Sequence, residues 1–157
     1  MILNFYLDCE RTTEKMAGNF ARNLSAPLVL GFTGNIGAGK TTFIRAMLRA
    51  LDIKGAIKSP TYALVESYAI TNLLIHHFDL YRVTEETELD FIGFRDYFSK
   101  SSLCCIEWPE RTQMSLESLD LHLTFSVFNT GRMVKACAIS REGCEFLKLI
   151  SPNMEMR

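Results

Sequence analysis

The sequence has no apolar run that approaches the roughly 18 residues needed to cross a bilayer. The opening stretch "MILNFYLDCERTTEK" has no basic leader before its short apolar run, so we expect no signal peptide. These two absences predict a cytoplasmic protein without membrane attachment.

An excess of charge of either sign is also missing. The 157 residues include 17 basic and 18 acidic side chains, which gives a formal net charge of −1. Such a balanced chain has no long-range attraction for nucleic acid or anionic lipid. Any contact with RNA would need a local basic patch or a partner protein.

Paired cysteine motifs are absent as well. The five cysteines form no C-x-x-C pair, and an odd number cannot all pair within one chain. Reduced thiols in a cytosol explain them best. Cys104 and Cys105 lie inside an apolar run, so we expect both to be buried. The cysteines are Cys9, Cys104, Cys105, Cys137 and Cys144.

Apolar runs bounded by turn residues predict strands along most of the chain. Two continuous apolar runs are typical of buried strands in a parallel sheet. Two other pairs of runs flank short turns and predict antiparallel hairpins. The strand-like segments are 2–7, 28–32, 62–70, 73–81, 103–108, 121–128 and 132–140.

Amphipathic segments between these runs predict helices. Apolar residues spaced by four indicate a helix over 12–24, with Thr12 or Thr13 as its cap. A second helix is predicted over 41–51, and 84–98 is helical in composition. Helices that alternate with strands and hairpins predict an α/β fold with a sheet of mixed direction. No repeat or linker divides the chain, so we expect a single domain.

A glycine-rich loop connects a predicted strand to a predicted helix. Gly34, Gly39, Lys40 and Thr41 fit the pattern G-x-x-x-x-G-K-[ST], the phosphate-binding P-loop. Glycines let successive amides point into one concavity, and the helix start adds its positive dipole end. Lys40 would reach the β- and γ-phosphates, and the Thr41 hydroxyl would ligate Mg²⁺. The strand before and the helix after distinguish this motif from a glycine-rich turn with a surface lysine.

Hydrolysis also needs an acid that positions a metal or a water, and two candidates follow apolar runs. Asp79 and Glu107 are predicted at the carboxyl ends of strands, where ligands of such sheets bind. The alternative for each is a solvated acid at a strand end. The D-x-x-G match at 90–93 lies in an acidic helical segment, and we treat it as chance. No N-K-x-D motif is present, which favours adenine over guanine.

The histidines give no metal signal. His76 and His77 are neighbours on a predicted strand and therefore point to opposite faces. We expect one in the core and one outside, with no metal shared between them. His122 is a lone strand residue without an identified partner.

Four motifs together resemble the bacterial TsaE family, also called YjeE. The resemblance is strongest over 10–110, whereas 111–157 fits as a closing hairpin and tail within one domain of 1–157. It implies a single P-loop NTPase domain with a mixed parallel and antiparallel central sheet flanked by helices. The motifs are "GNIGAGKTT" at 34–42, "SPTY" at 59–62, "HFDLYR" at 77–82 and "IEWPE" at 106–110.

The same resemblance implies a function. Family members bind ATP and Mg²⁺, turn ATP over slowly alone, and take part in making threonylcarbamoyladenosine on tRNA. They associate with the TsaD and TsaB proteins, which modify the adenosine beside the anticodon. ATP hydrolysis is thought to reset that complex between cycles. The resemblance therefore implies a slow Mg-dependent ATPase that meets tRNA only through the complex.

Site residues follow from the motif positions. The resemblance makes Thr41 and Glu107 magnesium ligands and Asp79 a catalytic carboxylate that contacts the metal directly or through water. It places Trp108 near the nucleotide and Thr61 in a mobile segment near the γ-phosphate. The phosphate-lining positions are Gly34, Asn35, Ile36, Gly37, Ala38, Gly39, Lys40, Thr41 and Thr42, and those near the base are Glu10 and Thr13.

Two positions leave alternatives open. The family usually has aspartate where this chain has Asn35, which alters turnover or affinity if the carboxylate acts on water or phosphate. It changes little if that side chain mainly shapes the loop. Arg82 could face phosphate, contact a partner, or pair with Glu85 or Glu86.

Two other functions share the P-loop. A small-molecule kinase usually closes an arginine-bearing lid over its second substrate, but the corresponding 84–100 segment is acidic. Its only cations are Arg95 and Lys100. A non-catalytic ATP-sensing adaptor would change shape on binding without needing turnover.

Overall fold

A computed structural model describes residues 1–153, and the last four residues of the predicted tail lie outside the described range. Within that range, seven strands form one sheet with helices on both faces. The strands are β1 (Ile2–Leu7), β2 (Leu28–Thr33), β3 (Val65–Ile70), β4 (Leu73–Asp79), β5 (Ser102–Glu107), β6 (Leu121–Phe128) and β7 (Gly131–Ala138).

The sheet is of mixed direction, as the sequence predicts. Its strand order is β1-β7-β6-β2-β5-β4-β3. The four central strands β6, β2, β5 and β4 run parallel, and antiparallel partners extend the sheet at both edges. Because parallel strands end at the same edge, the loop after β2 lies beside the last residues of β4 and β5.

Helices lie in the connections between strands other than the two hairpins, and one more follows β7. The first begins at Glu10, two residues before the predicted start, and its N-cap is Cys9. The expected cap at Thr12 or Thr13 is therefore wrong: the Thr12 hydroxyl accepts a hydrogen bond from the Cys9 amide at 3.1 Å, as the third helical residue of a capping box does. The helices are α1 (Glu10–Asn23), α2 (Lys40–Ala50), α3 (Thr87–Phe91), α4 (Gln113–Glu117) and α5 (Arg141–Ile150), with 3-10 turns at Phe94–Tyr97, Pro109–Arg111 and Ser151–Asn153.

The last helix, α5, corrects the expected hairpin and tail. The hairpin of β6 and β7 forms as predicted, and the segment expected only as a tail then begins with a helix. Ser140 caps it by accepting a hydrogen bond from the Gly143 amide at 3.1 Å. Phe146, Leu147 and Ile150 are buried on its inner side.

Two apolar clusters cover the two faces of the sheet. On one face, Phe20 of α1 packs edge-on against Phe43 of α2 and Phe146 of α5, with ring centroids 5.1 and 5.2 Å away. On the other face, Phe78 packs against Phe94 at 5.1 Å. β2 and β5 are therefore buried on both sides, which explains their continuous apolar sequences.

Burial on both faces also decides where the histidines of β4 lie. His76 and His77 point to opposite faces as predicted, but both are buried, at 8% and 1% exposure. The expectation of one outside residue was wrong because each face of β4 is covered. Cys104 and Cys105 on β5 are buried as predicted, and burial raises the pKa of Cys104 to about 12. Among residues 1–153, no helix has the length and apolar character to span a bilayer.

Candidate nucleotide-binding site

A cavity of about 700 Å³ opens at the carboxyl edge of the parallel strands. This volume lies in the ordinary range for small-molecule sites, about 300–1,000 Å³. The loop before α2, the start of α1, the ends of β4 and β5 and the turn between β6 and β7 surround it. The predicted site residues that line it are Glu10, Thr13, Ile36, Gly37, Gly39, Lys40, Thr41, Thr42, Thr61, Asp79, Glu107 and Trp108.

The other predicted residues of the loop lie behind or outside the cavity. Ala38 is buried in the core at 1% exposure, and Asn35 is exposed. Gly34 passes so close to β6 that an added Cβ would lie 2.5 Å from the Phe125 carbonyl oxygen. These three residues do not line the cavity; Gly34 and Ala38 support the loop from behind.

The start of α2 leaves hydrogen-bond donors pointing at the cavity. Its N-cap is Gly39, with φ of 105°, and no side chain caps the helix. The first amides of a helix have no partner within it, so this end attracts an anion. A phosphate group suits this end of the cavity because it offers several acceptor oxygens and negative charge.

Lys40 extends over the loop from the first position of α2. Its Nζ donates hydrogen bonds to the main-chain carbonyls of Gly34 and Asn35, the latter at 3.0 Å, and lies 4.3 Å from the centre of the Trp108 ring. Burial lowers the pKa of Lys40, and the nearby Glu107 carboxylate is the largest influence in the opposite direction. The Lys40 side chain therefore lines the cavity beside the start of α2, within reach of a phosphate bound there.

Thr41 and Glu107 meet across the cavity. The Thr41 hydroxyl donates to Oε1 of Glu107 at 2.6 Å, although 66 residues separate them. Glu107 ends β5 and is 1% exposed, so it is no solvated strand-end acid. Hydroxyl and carboxylate oxygens are hard donors, and Mg²⁺ is commonly bound through one or two carboxylates with several waters. The donor set fits Mg²⁺.

Asp79 connects the end of β4 to the segment 59–62. Its Oδ2 accepts hydrogen bonds from the hydroxyls of Ser59 at 2.8 Å and Thr61 at 2.9 Å. Its Oδ1 accepts from the Tyr81 amide at 3.1 Å. Asp79 is paired with Glu107 in the register of β4 and β5, so both carboxylates lie on the same face. The site therefore holds two acids side by side.

Aromatic and cationic side chains form the wall above these acids. Trp108 adopts a left-handed backbone conformation with φ of 59°, and its ring centroid is 5.1 Å from that of Tyr81. Arg111 lies over the same Trp108 ring at 5.3 Å. Arg82 donates to the Tyr62 hydroxyl at 3.1 Å, and within residues 1–153 no ion pair joins it to Glu85 or Glu86.

Two contacts at the site were not found from the sequence. Arg132, at the start of β7, lines the cavity and donates to the main-chain carbonyl of Gly37 at 3.2 Å. His122 lies 2.7 Å from the Thr33 hydroxyl at the end of β2, which supplies the partner missing from the sequence. No local pattern signals either contact, because Arg132 reaches the loop through the pairing of β7 with β6, and His122 reaches Thr33 through the parallel pairing of β6 with β2.

Comparison with known proteins gives matches over most of the chain. The family model described as "Threonylcarbamoyl adenosine biosynthesis protein TsaE" matches residues 7–134. A Haemophilus influenzae protein named "tRNA threonylcarbamoyladenosine biosynthesis protein TsaE" is 40% identical over 124 residues, which cover 79% of this chain and 78% of that protein. A protein of the same name from Aquifex aeolicus is 36% identical over 121 residues, 73% of this chain and 86% of that protein.

A solved structure shows the same fold. The crystal structure of Bacillus subtilis YdiB superposes with a TM-score of 0.79 and covers 98% of this chain and 96% of that one, at 22% sequence identity. The mixed sheet and flanking helices expected from the sequence are thus found in an experimental structure. By the family match and the curated relatives, the chain belongs to the TsaE family.

Proposed function

We propose that this chain is an ATP-binding, Mg²⁺-dependent ATPase that serves the biosynthesis of threonylcarbamoyladenosine on tRNA. It works as one domain over 1–157 in the cytoplasm. The observation that carries the ATPase proposal is the 2.6 Å hydrogen bond between Thr41 and Glu107 beside the glycine loop. The names of its relatives support the pathway.

In this proposal each part of the cavity has one task. The amides of 36, 37 and 39–42 bind the phosphates, and Lys40 neutralises charge on the β- and γ-phosphates. Thr41 and Glu107 hold Mg²⁺, which supplies charge neutralisation at the phosphate oxygens when it is bound. Asp79 orients the attacking water and holds Thr61 close to the γ-phosphate.

Partner proteins follow from the same assignment. We propose that the chain acts with TsaD and TsaB, and that ATP turnover resets their complex. A net charge of −1 gives the isolated chain little attraction for tRNA, so it meets tRNA only through that complex. Tight, salt-sensitive tRNA binding by the chain alone would contradict this indirect contact with tRNA. For the partners, the expected result is an association with TsaD and TsaB that depends on nucleotide.

Phosphate release tests the ATPase against a kinase. With Mg²⁺ and ATP alone, the chain should release phosphate slowly, whereas a kinase needs an acceptor substrate to turn over ATP. Glu107→Ala should abolish this release, while Glu117→Ala, an exposed acid outside the cavity, should leave it unchanged. No release from the wild-type chain, alone or with TsaD and TsaB, would refute the proposal.

The same variant separates an ATPase from an adaptor. A non-catalytic adaptor keeps its biological role when only hydrolysis is lost. We expect Glu107→Ala to lose support of tRNA modification in a reconstituted reaction with TsaD and TsaB. Full support from a variant that binds ATP without hydrolysing it would favour the adaptor.

A further inference from the structure

His77 is a buried side chain to which the proposed reaction gives no task. Its ring is 1% exposed, and its Nε2 lies 2.9 Å from Oε2 of Glu107. Its Nδ1 is buried and has no hydrogen-bond partner within residues 1–153. A leucine would fill a strand position of this kind without leaving an unpartnered polar atom. The unpartnered nitrogen therefore indicates that the imidazole is there for its other nitrogen.

The sheet register places this ring directly behind the carboxylate. His77 of β4 is paired with Cys105 of β5, and Glu107 follows two residues later on the same face. The two oxygens of Glu107 then face different partners. Oε1 accepts from Thr41 at the cavity, and Oε2 meets His77 in the interior. The carboxylate is thus held at both oxygens and cannot rotate freely.

The direction of the inner hydrogen bond follows from the task of Glu107. A carboxylate that ligates a metal is ionised and only accepts hydrogen bonds, so Nε2 of His77 carries the proton and donates. We propose that His77 is a positioning residue, which fixes the Glu107 carboxylate in the orientation that holds Mg²⁺ together with Thr41. This inference rests on the proposed function, since it assigns a role at the same metal site.

The neighbouring His76 offers a matched control. It is also a buried histidine of β4, but it points to the opposite face, where its Nδ1 lies 2.7 Å from the Ser67 hydroxyl. Loss of either ring removes a side-chain hydrogen bond from the same strand. Only His77 contacts a residue of the cavity, so an effect on the metal distinguishes positioning from general stability.

The experiment measures how Mg²⁺ strengthens the binding of a non-hydrolysable ATP analogue, by calorimetry. In His77→Leu, we expect the Mg²⁺ concentration for half-maximal enhancement to rise about tenfold or more, because groups that orient metal ligands commonly contribute about 10- to 100-fold in metal affinity. Analogue binding in EDTA should be unchanged. In His77→Gln, whose side-chain amide can donate in place of Nε2, the half-maximal Mg²⁺ concentration should stay within about threefold of the wild-type value. In His76→Leu it should equal the wild-type value.

Every outcome of this experiment either supports or overturns the positioning role of His77. Equal Mg²⁺ dependence in His77→Leu and the wild type overturns the inference and leaves the proposed function intact. The inference is also overturned if His77→Gln or His76→Leu loses as much Mg²⁺ affinity as His77→Leu. If Mg²⁺ does not strengthen analogue binding in the wild-type chain, the proposed metal site is refuted. The positioning role of His77 is then refuted as well.

Nitrogen NMR of the wild-type chain covers the case in which His77→Leu does not fold. We expect the His77 ring to carry its proton on Nε2. Its signal should shift when Mg²⁺ is added to the analogue complex, while the His76 signal stays in place. A proton on Nδ1 alone, or a His77 signal that ignores Mg²⁺, would overturn the inference.

Discussion

Replacing Gly34 with alanine should distort the phosphate loop, whereas the same change at Gly37 should not. Both glycines have positive φ, 149° at Gly34 and 78° at Gly37. A Cβ at Gly34 would lie 2.5 Å from the Phe125 carbonyl oxygen and 3.2 Å from the Cβ of Ala38. At Gly37 it would meet nothing within 4 Å. The two substitutions are chemically identical and differ in the space around them.

The expected costs differ accordingly. For Gly34→Ala, backbone strain of about 1–3 kcal/mol adds to a clash of about 1–3 kcal/mol with a main chain that cannot rotate away. Allowing for the reduced entropy of the unfolded chain, the free energy of unfolding should fall by about 2–5 kcal/mol. That lowers the melting temperature by roughly 4–20 °C. Gly37→Ala should cost about 1 kcal/mol or less. This is the part of the left-handed backbone strain that the reduced entropy of the unfolded chain does not offset.

Thermal and urea unfolding measure both values, and calorimetry measures nucleotide affinity in the same samples. Gly34→Ala should also weaken ATP and ADP together, because the displaced loop carries amides that bind the phosphates common to both. Equal destabilisation by the two variants would refute the argument that Phe125 fixes the loop. Wild-type affinity in a destabilised Gly34→Ala would show that the loop does not hold the nucleotide.

Three further predictions concern single side chains. Lys40→Ala should weaken ATP binding at least about a hundredfold, since it loses hydrogen bonds to two phosphates at about 1.5–3 kcal/mol each, about 3 kcal/mol or more together. Unchanged affinity would count against the site. Trp108 is the only tryptophan and contacts Lys40, so its fluorescence should change on saturation with ATP or ADP, and an unchanged signal would remove it from the site. Burial lowers the pKa of His76 below 6.5, so as the pH falls this side chain is protonated in the unfolded chain before it is protonated in the folded one. The stability that comes from keeping His76 neutral is therefore present above pH 6.5 and is lost below it. Melting curves from pH 7.5 to 5.5 should show a smaller loss in His76→Gln than in the wild type.

The sequence predicts this fold well where one physical signal dominates. Continuous apolar runs locate the strands of the parallel core, and the glycine motif locates the connection from β2 to α2. The start of α1 and the whole of α5 were not predicted from the sequence. Thr12 is an ordinary cap residue that here acts from inside the helix, and Gly143 reduces helix propensity in α5. Gly143 is needed there because a Cβ would lie 1.9 Å from the Asp120 carbonyl oxygen.

The site was predictable in its central residues and less so at its periphery. Glu107 and Asp79 can be recognised in the sequence because each is an acid that follows an apolar strand. Arg132 and the bond from His77 to Glu107 depend on how strands are ordered and registered in the sheet. Local sequence carries no information on either, because a shift of one residue in register would turn the His77 ring to the opposite face.

The pairing of β1 with β7 has a consequence for how the protein is made. Of the seven described strands β1 is synthesised first, yet within residues 1–153 it pairs only with β7, which is synthesised last. The central strand β2 likewise waits for β5 and β6. Contacts between distant parts of a chain form slowly and leave apolar surface uncovered in the meantime. The sheet of the nascent polypeptide therefore stays incomplete until β7 has been translated, and the apolar strands made earlier are open to aggregation until then.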